Sequence, residues 1–122
     1  MTAVVSDVSY ASYGNTNAIS ATGTFNYNPI AHGQVALITL TNAITVTFGA
    51  PTNIVEGAMF KWILKAGDTS LRSFAWASNF KFPLGTPSLT SGTQNSGAYD
   101  TITFIGGPSN TLIFDGKSQD VR

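Results

Sequence analysis

Hydrophobic and polar residues alternate along most of this chain with a period of two, which is typical of β-strands. The segment Ile44–Phe48 places three apolar side chains on one face and two threonines on the other. A Gly-Ala-Pro-Thr-Asn turn follows, and Phe60–Lys65 then alternates in the same way. We expect these two strands, joined by a polar loop, to form a sheet unit with one dry side and one wet side.

Trp62 indicates which side of this unit is dry. It shares parity with Phe60 and Leu64, whereas Lys61 and Lys65 occupy the opposite face. The pattern therefore predicts Trp62 in the core between sheets, against the alternative that it stacks on a ligand such as a sugar. The tyrosines are the better candidates for exposed contacts, namely Tyr10, Tyr13, Tyr27 and Tyr99.

Further strands follow from the same alternation and from turn residues about every eight to twelve positions. They are predicted at Ile19–Asn28, Gln34–Thr41, Ser73–Ala77, Thr101–Ile105 and Thr111–Asp115, with Phe80 and Phe82 continuing the third of these. The short link Asn42-Ala43 favours a hairpin between the strands on either side of it, and Gly106–Asn110 favours another. The segment Ser88–Ser96 and the tail Gly116–Arg122 are polar and are expected to be exposed.

No segment shows three turns of helical periodicity, and no internal repeat is strong enough to indicate a solenoid. The fold class predicted is all-β, as a compact antiparallel β-sandwich or barrel that is jelly-roll-like. Residues 1–17 are predicted to be an extended N-terminal arm and residues 18–122 a single β-domain. The arm is rich in small polar residues but too apolar for a purely disordered tail, so it is either a frayed first edge strand or a segment that orders against a neighbouring subunit.

Composition narrows the possible functions. Charged residues make up only 10% of the chain, against about 25% in typical domains, and six basic residues balance six acidic ones. Such a surface argues against electrostatic capture of nucleic acid or of an anionic membrane, and zero net charge favours association into an assembly. There are no cysteines, no apolar run long enough for a membrane helix and no signal-peptide pattern, so we expect a product of the cytoplasm.

Residues that carry chemistry are sparse. His32 is the only histidine, it lies in a turn, and no G-x-S-x-G motif accompanies it, so a catalytic triad is disfavoured. The six acidic residues are scattered near turns and lack the spacing of a calcium loop. No phosphate-binding or dinucleotide-binding motif occurs. We therefore predict no catalytic residues, no metal and no cofactor, and a protein that is not an enzyme.

From Gln34 to Gly116 the chain resembles a small β-domain found in tailed-bacteriophage virion proteins, both fibres and head-decorating proteins. The resemblance rests on the Thr-rich strand Ile44–Phe48, the strand Phe60–Lys65 with its Gly-Asp turn, Phe74–Ser78, Phe80–Leu89 and Tyr99–Phe104. This chain has Lys65 where that family is expected to have Gln, and it lacks a Gly pair before Pro87. The family is structural, so the resemblance implies a virion protein without a reaction.

Two functions are compatible with this resemblance. The first is a capsid decoration or cement protein that binds the outer capsid surface and stabilises it, located in the virion after assembly in the host cytoplasm. Its partners would be the major capsid protein and copies of itself, as a homo-oligomer such as a trimer, contacted through the arm residues Val4, Val5, Val8, Tyr10 and Tyr13. The alternative is a tail-fibre or receptor-binding module for a host surface glycan, which would use the polar loops at Thr90, Gln94, Asn95, Tyr99 and Asn110.

Overall fold

The structure, a computed structural model, describes residues 23–41, 45–92 and 95–122, together with the backbone of residues 16–19. The strands are β1 (Thr16–Ile19), β2 (Thr24–Phe25), β3 (Val35–Leu40), β4 (Thr45–Phe48), β5 (Met59–Ala66), β6 (Ser73–Trp76), β7 (Phe80–Lys81), β8 (Tyr99–Gly107) and β9 (Thr111–Val121). A single helical turn, α1 (Pro29–His32), and a 3-10 turn at Pro83–Gly85 interrupt them.

These strands form two sheets. One sheet has six strands in the order β1-β3-β5-β8-β9-β7, and the other has three strands in the order β2-β4-β6. Their apolar faces share one aromatic core, so the all-β sandwich that the alternation predicts is confirmed. The extended N-terminal arm lies outside the described residues, apart from the backbone of β1.

From β1 to β6 the chain alternates between the two sheets, and each strand from β3 onward pairs in parallel with the strand two before it. Thr16 lies opposite Leu37 and Val35 lies opposite Lys61 in the larger sheet, while β2, β4 and β6 pair in the same sense in the smaller one. The predicted antiparallel, jelly-roll-like order is therefore wrong for five of the seven pairings between described strands. Only β5–β8 and β8–β9 are antiparallel.

Two of the expected local pairings are also wrong. Strands β3 and β4 belong to different sheets, so they form no hairpin, and β4 and β5 do not form one sheet unit. Each of these connections crosses from one sheet to the other. Two successive amphipathic strands need not pair side by side, because they can also pack face to face and bury their apolar sides against each other. The last hairpin is confirmed, since β8 and β9 pair directly. Strand β9 continues to Val121, so the segment predicted to be a polar tail is an edge of the hairpin.

Trp62 lies at the centre of the core, with a relative exposure of 0%. Ring centroids of six aromatic side chains lie within 5.0 to 6.0 Å of it, namely those of Phe25, Tyr27, Phe48, Trp76, Phe80 and Phe104. These rings come from both sheets, so one indole connects them. The prediction that Trp62 is a core residue is confirmed.

The indole nitrogen of Trp62 is buried and has no hydrogen-bond acceptor among the described residues. The rings of Phe104 and Tyr27 stand at 65° and 64° to the indole, with centroids 5.0 and 5.2 Å away. Burial of this donor without an acceptor is a cost to the folded state that the surrounding ring contacts offset.

Two other sequence expectations need correction. Tyr27 is buried rather than exposed, and its hydroxyl donates a hydrogen bond of 2.6 Å to the carbonyl oxygen of Gly33. Leu89, within the segment expected to be exposed, is also buried, and its carbonyl accepts a 2.7 Å hydrogen bond from Trp76 Nε1. In both cases the side chain packs in the aromatic core, although polar residues lie next to it in the sequence.

Candidate binding surface on the six-stranded sheet

The six-stranded sheet has a second face, directed away from the core, because successive side chains in a strand alternate. We call this surface the outer face. It consists of Val35, Leu37 and Thr39 of β3, Met59, Lys61, Ile63 and Lys65 of β5, Tyr99, Thr101, Thr103 and Ile105 of β8, Ile113, Asp115, Ser118 and Val121 of β9, and Lys81 of β7.

Apolar side chains of neighbouring strands form two short rows on the outer face. Met59 lies opposite Ile105, which lies opposite Ile113, and in another row Leu37 lies opposite Ile63. Met59 is 53% exposed and Ile113 is 41% exposed, whereas Ile105 between them, Leu37 and Ile63 are half-buried. Exposed apolar residues beside half-buried ones are compatible with a surface that contacts another molecule.

The charges on the outer face are mostly positive. Three of the chain's four lysines lie there, Lys61, Lys65 and Lys81, together with one acidic residue, Asp115 in the bulge between β8 and β9. Among the described residues, salt bridges join only Arg72 to Asp68 and Arg122 to Asp120, so the three lysines have no ionic partner there. The outer face therefore combines apolar rows with unpaired cations.

Two shallow grooves cross the outer face. One, of about 290 Å³, is lined by Gln34, Val35, Met59, Phe60, Lys61 and Thr103. The other, of about 230 Å³, is lined by Leu37, Ile38, Thr39, Lys65 and Tyr99. The lining of each groove combines apolar side chains with polar ones and one lysine.

The predicted loop contacts do not form one surface. Asn95 and Tyr99 lie where β8 begins and β9 ends, and Asn95 Nδ2 donates a 2.8 Å hydrogen bond to Asp120 Oδ1. Thr90 is exposed, and its carbonyl accepts the backbone N–H of Phe74 at the edge of the smaller sheet. Asn110 lies at the opposite end of the β8–β9 hairpin, where its side chain accepts the N–H of Ile54.

The remaining predicted contacts fall outside the described residues. These are Gln94 and the arm residues Val4, Val5, Val8, Tyr10 and Tyr13. The outer face itself was missed by sequence reasoning, except that Ile63 lies between two lysines on the polar side of its strand. Ile63 is an apolar residue at a position expected to face solvent, and this was the feature of the sequence that indicated the outer face.

The charged groups in the interior have structural partners. The Arg72 side chain is fully buried, and it contacts Asp68 Oδ1 at 2.6 Å and the Ser70 carbonyl at 3.3 Å. Asp100 is also buried and accepts the backbone N–H of Asp120 at 2.9 Å. The contacts of Arg72 order the β5–β6 connection, and that of Asp100 joins β8 to β9. A buried charge is tolerated only when it is paired or hydrogen-bonded.

His32 also has a local structural role. Its Nδ1 accepts the backbone N–H of Asn28 at 3.0 Å, and its ring lies against Phe25 and stacks on Tyr27. Partial burial lowers the pKa of His32 below its ordinary value. No group of three or more side chains able to hold a metal ion occurs within the described residues.

No protein-family model, curated protein or solved structure matches this chain. The resemblance to phage virion domains therefore stays a prediction from the residue pattern. Within the part of the chain that the structure describes, no helix has the length and apolar character to cross a bilayer.

Proposed function

We propose that this protein is a structural protein of a tailed-bacteriophage virion that binds the outer surface of the capsid and stabilises it. The observation that supports the proposal most is the outer face, where partly exposed apolar rows and lysines without an ionic partner among the described residues lie on a sheet backed by an aromatic core. A rigid face of this kind supports protein contact without a large ordering cost. Binding to the assembled lattice, and not to free subunits, would raise the temperature at which the capsid opens.

The described side chains favour a binding role over a reaction. His32, the only histidine, is held between two rings and accepts a backbone N–H, so its placement is accounted for by local packing. The buried Arg72 orders the β5–β6 connection, and the buried Asp100 joins β8 to β9. Partners proposed are the major capsid protein and further copies of this chain.

The proposal is tested by heating purified capsids with and without the protein and by co-sedimentation. We expect bound protein in the capsid pellet and a higher disruption temperature. Met59→Glu should weaken both effects, because it places a carboxylate within the exposed apolar row. Leu71→Glu is the matched control, since Leu71 is exposed to a similar extent, 59% against 53%, but lies in a connection outside the outer face.

Two results would contradict the proposal. One is an unchanged disruption temperature without co-sedimentation. The other is binding of the isolated protein to host cells that is lost when Thr90, Asn95 and Asn110 are replaced together, which would favour the receptor-binding alternative.

A further inference from the structure

We propose that the outer face binds an extended segment of a partner protein in which two acidic residues flank an apolar one, in the pattern acidic-x-apolar-x-acidic. The inference rests on the proposed function, because it names the chemistry of the protein surface that the outer face contacts. It is carried by the positions of Lys61, Ile63 and Lys65 along β5 and by the side chains beside them.

The two lysines lie on the same side of β5, with one apolar residue between them. Lys61 and Lys65 are exposed and Ile63 is half-buried, whereas the alternate residues of the strand face the core. Neither lysine has a hydrogen-bond or ionic partner among the described residues. The acidic residue of the outer face, Asp115, lies on β9, with β8 between it and β5. The two ammonium groups are therefore available to carboxylates of another molecule.

Each lysine lies beside a hydroxyl group that can donate a hydrogen bond. Lys65 lies between Thr39 of β3 and Tyr99 of β8 in the cross-strand register. Lys61 lies opposite Thr103 of β8. The Cβ atoms of side chains paired in this way are about 4.5–5.5 Å apart, so a carboxylate held by either lysine is also within reach of a hydroxyl. The two shallow grooves lie at these same positions, one at each lysine.

The row between the two lysines is apolar. Ile63 lies opposite Leu37 of β3, and both side chains are half-buried. An apolar side chain placed over them would remove further apolar surface from water, whereas a charged one would lose hydration without gaining a partner. The outer face therefore presents a cation, an apolar contact and a second cation in line along one strand.

The spacing of these three positions favours an extended partner. Alternate residues of a strand are about 6.6 Å apart, so Lys61 and Lys65 are separated by about 13 Å, with Ile63 midway between them. Side chains at positions i, i+2 and i+4 of an extended segment have the same separation and point the same way. In a helix, positions i and i+4 are separated by only about 6 Å along the axis, so carboxylates at those positions do not match the two lysines.

Charge and shape argue against two other occupants. Three lysines and one aspartate give the described outer face an excess of positive charge, so two copies packed face to face would bring like charges together. A polyanion without apolar groups would pair with the lysines but leave the row of Ile63 and Leu37 uncovered. A segment with both carboxylates and an apolar side chain satisfies all three positions.

Binding of short synthetic peptides to the whole protein, measured by fluorescence anisotropy, tests the inference. The first peptide carries Glu-Ser-Leu-Ser-Glu between neutral, soluble ends. The second carries Glu-Leu-Ser-Ser-Glu, which has the same composition and the same charge spacing but directs the leucine to the opposite side of an extended chain. The third carries Lys-Ser-Leu-Ser-Lys and so reverses both charges.

We expect the first peptide to bind several-fold more tightly than either of the others, and added salt should weaken its binding. Lys61→Glu and Lys65→Glu should each weaken binding of the first peptide, and the two together should make the protein prefer the third. Lys117→Glu is the matched control, because Lys117 is exposed but lies opposite Ile102, whose side chain faces the core. It should leave the order of preference unchanged, and thermal melts should show that each variant is folded.

Equal binding of the first two peptides would refute the inference, because charge alone would then account for it, and absence of binding would refute it as well. The outcome is separable from that of the proposed function. Selective peptide binding by a protein that does not bind or stabilise capsids would contradict the proposed function and leave this inference intact. Capsid binding that is weakened by Met59→Glu, together with no preference among the peptides, would do the reverse.

Discussion

Replacing Trp62 with alanine tests the central packing of this fold. The side chain is fully buried, and six aromatic rings from both sheets surround it. Removal of the indole leaves a cavity between two sheets whose backbones are fixed by their own ladders. The site can collapse only partly, and such sites give the larger losses among large-to-small substitutions.

The expected loss follows from this environment. Truncation of a buried tryptophan to alanine typically costs about 3–5 kcal/mol. The lost ring-to-ring contacts, worth roughly 0.5–1.5 kcal/mol per pair, push the value upward, although neighbouring contacts do not add independently. Removal of the indole N–H makes the loss of stability smaller, because this buried donor lacks a hydrogen-bond acceptor among the described residues. We expect a net loss of about 4 kcal/mol, out of a total of about 5–15 kcal/mol for such a domain.

Thermal and urea unfolding of Trp62→Ala and of Lys61→Ala provide the assay. The first variant should melt roughly 10–20 °C below wild type or fail to fold. The second removes an exposed side chain from the neighbouring position and should change the free energy of unfolding by less than about 0.5 kcal/mol. A Trp62→Ala protein that melts within two or three degrees of wild type, roughly 0.5 kcal/mol, would mean that the indole does not connect the sheets.

Three further predictions are tested by thermal unfolding. Tyr27→Phe removes a buried hydroxyl that donates to the carbonyl of Gly33, so we expect a loss of about 1 kcal/mol, and an unchanged melting temperature would show that this hydrogen bond has no net value. Gly106→Ala would drive a Cβ into a backbone carbonyl of the β4–β5 connection and should cost about 1–3 kcal/mol, whereas Gly107→Ala meets mainly flexible side-chain atoms at 3.3 Å or more and should cost less; equal losses would contradict this reasoning. Burial lowers the pKa of His32, so the unfolded chain binds its proton first and stability should fall as the pH drops below about 6.5, a dependence that His32→Gln should reduce.

The strands and the core could be predicted from the sequence because side-chain alternation is a local property. The apolar parity of Phe60, Trp62 and Leu64 appears directly as three buried residues in β5. The same holds for Ile102 and Phe104 in β8. A period of two, however, states only which face of a strand is dry, and it says nothing about the strand that lies beside it.

Pairing could not be predicted for the same reason. Equivalent strands of successive turns are separated by unequal lengths of chain, since Thr16 pairs with Leu37 but Val35 with Lys61. No fixed period therefore marks the winding in the sequence. The short link after β3 looks like a hairpin connection, yet β4 crosses to the other sheet. The predicted turn at Gly106–Asn110 does join two strands that pair with each other, and there the predicted hairpin is confirmed.

The positive charge of the outer face could not be predicted from the sequence, because the chain as a whole has a formal net charge of zero. Among the six acidic residues, Asp68 and Asp120 are paired with arginines and Asp100 is buried, so few carboxylates remain to balance the lysines. Lys81 joins the lysines of β5 on the same face only because β7 pairs with β9, more than thirty positions along the chain. A formal net charge of zero thus coexists with a one-sided positive surface. Because an electrostatic field depends on how charge is distributed as well as on its sum, the neutral total does not describe the field at this face.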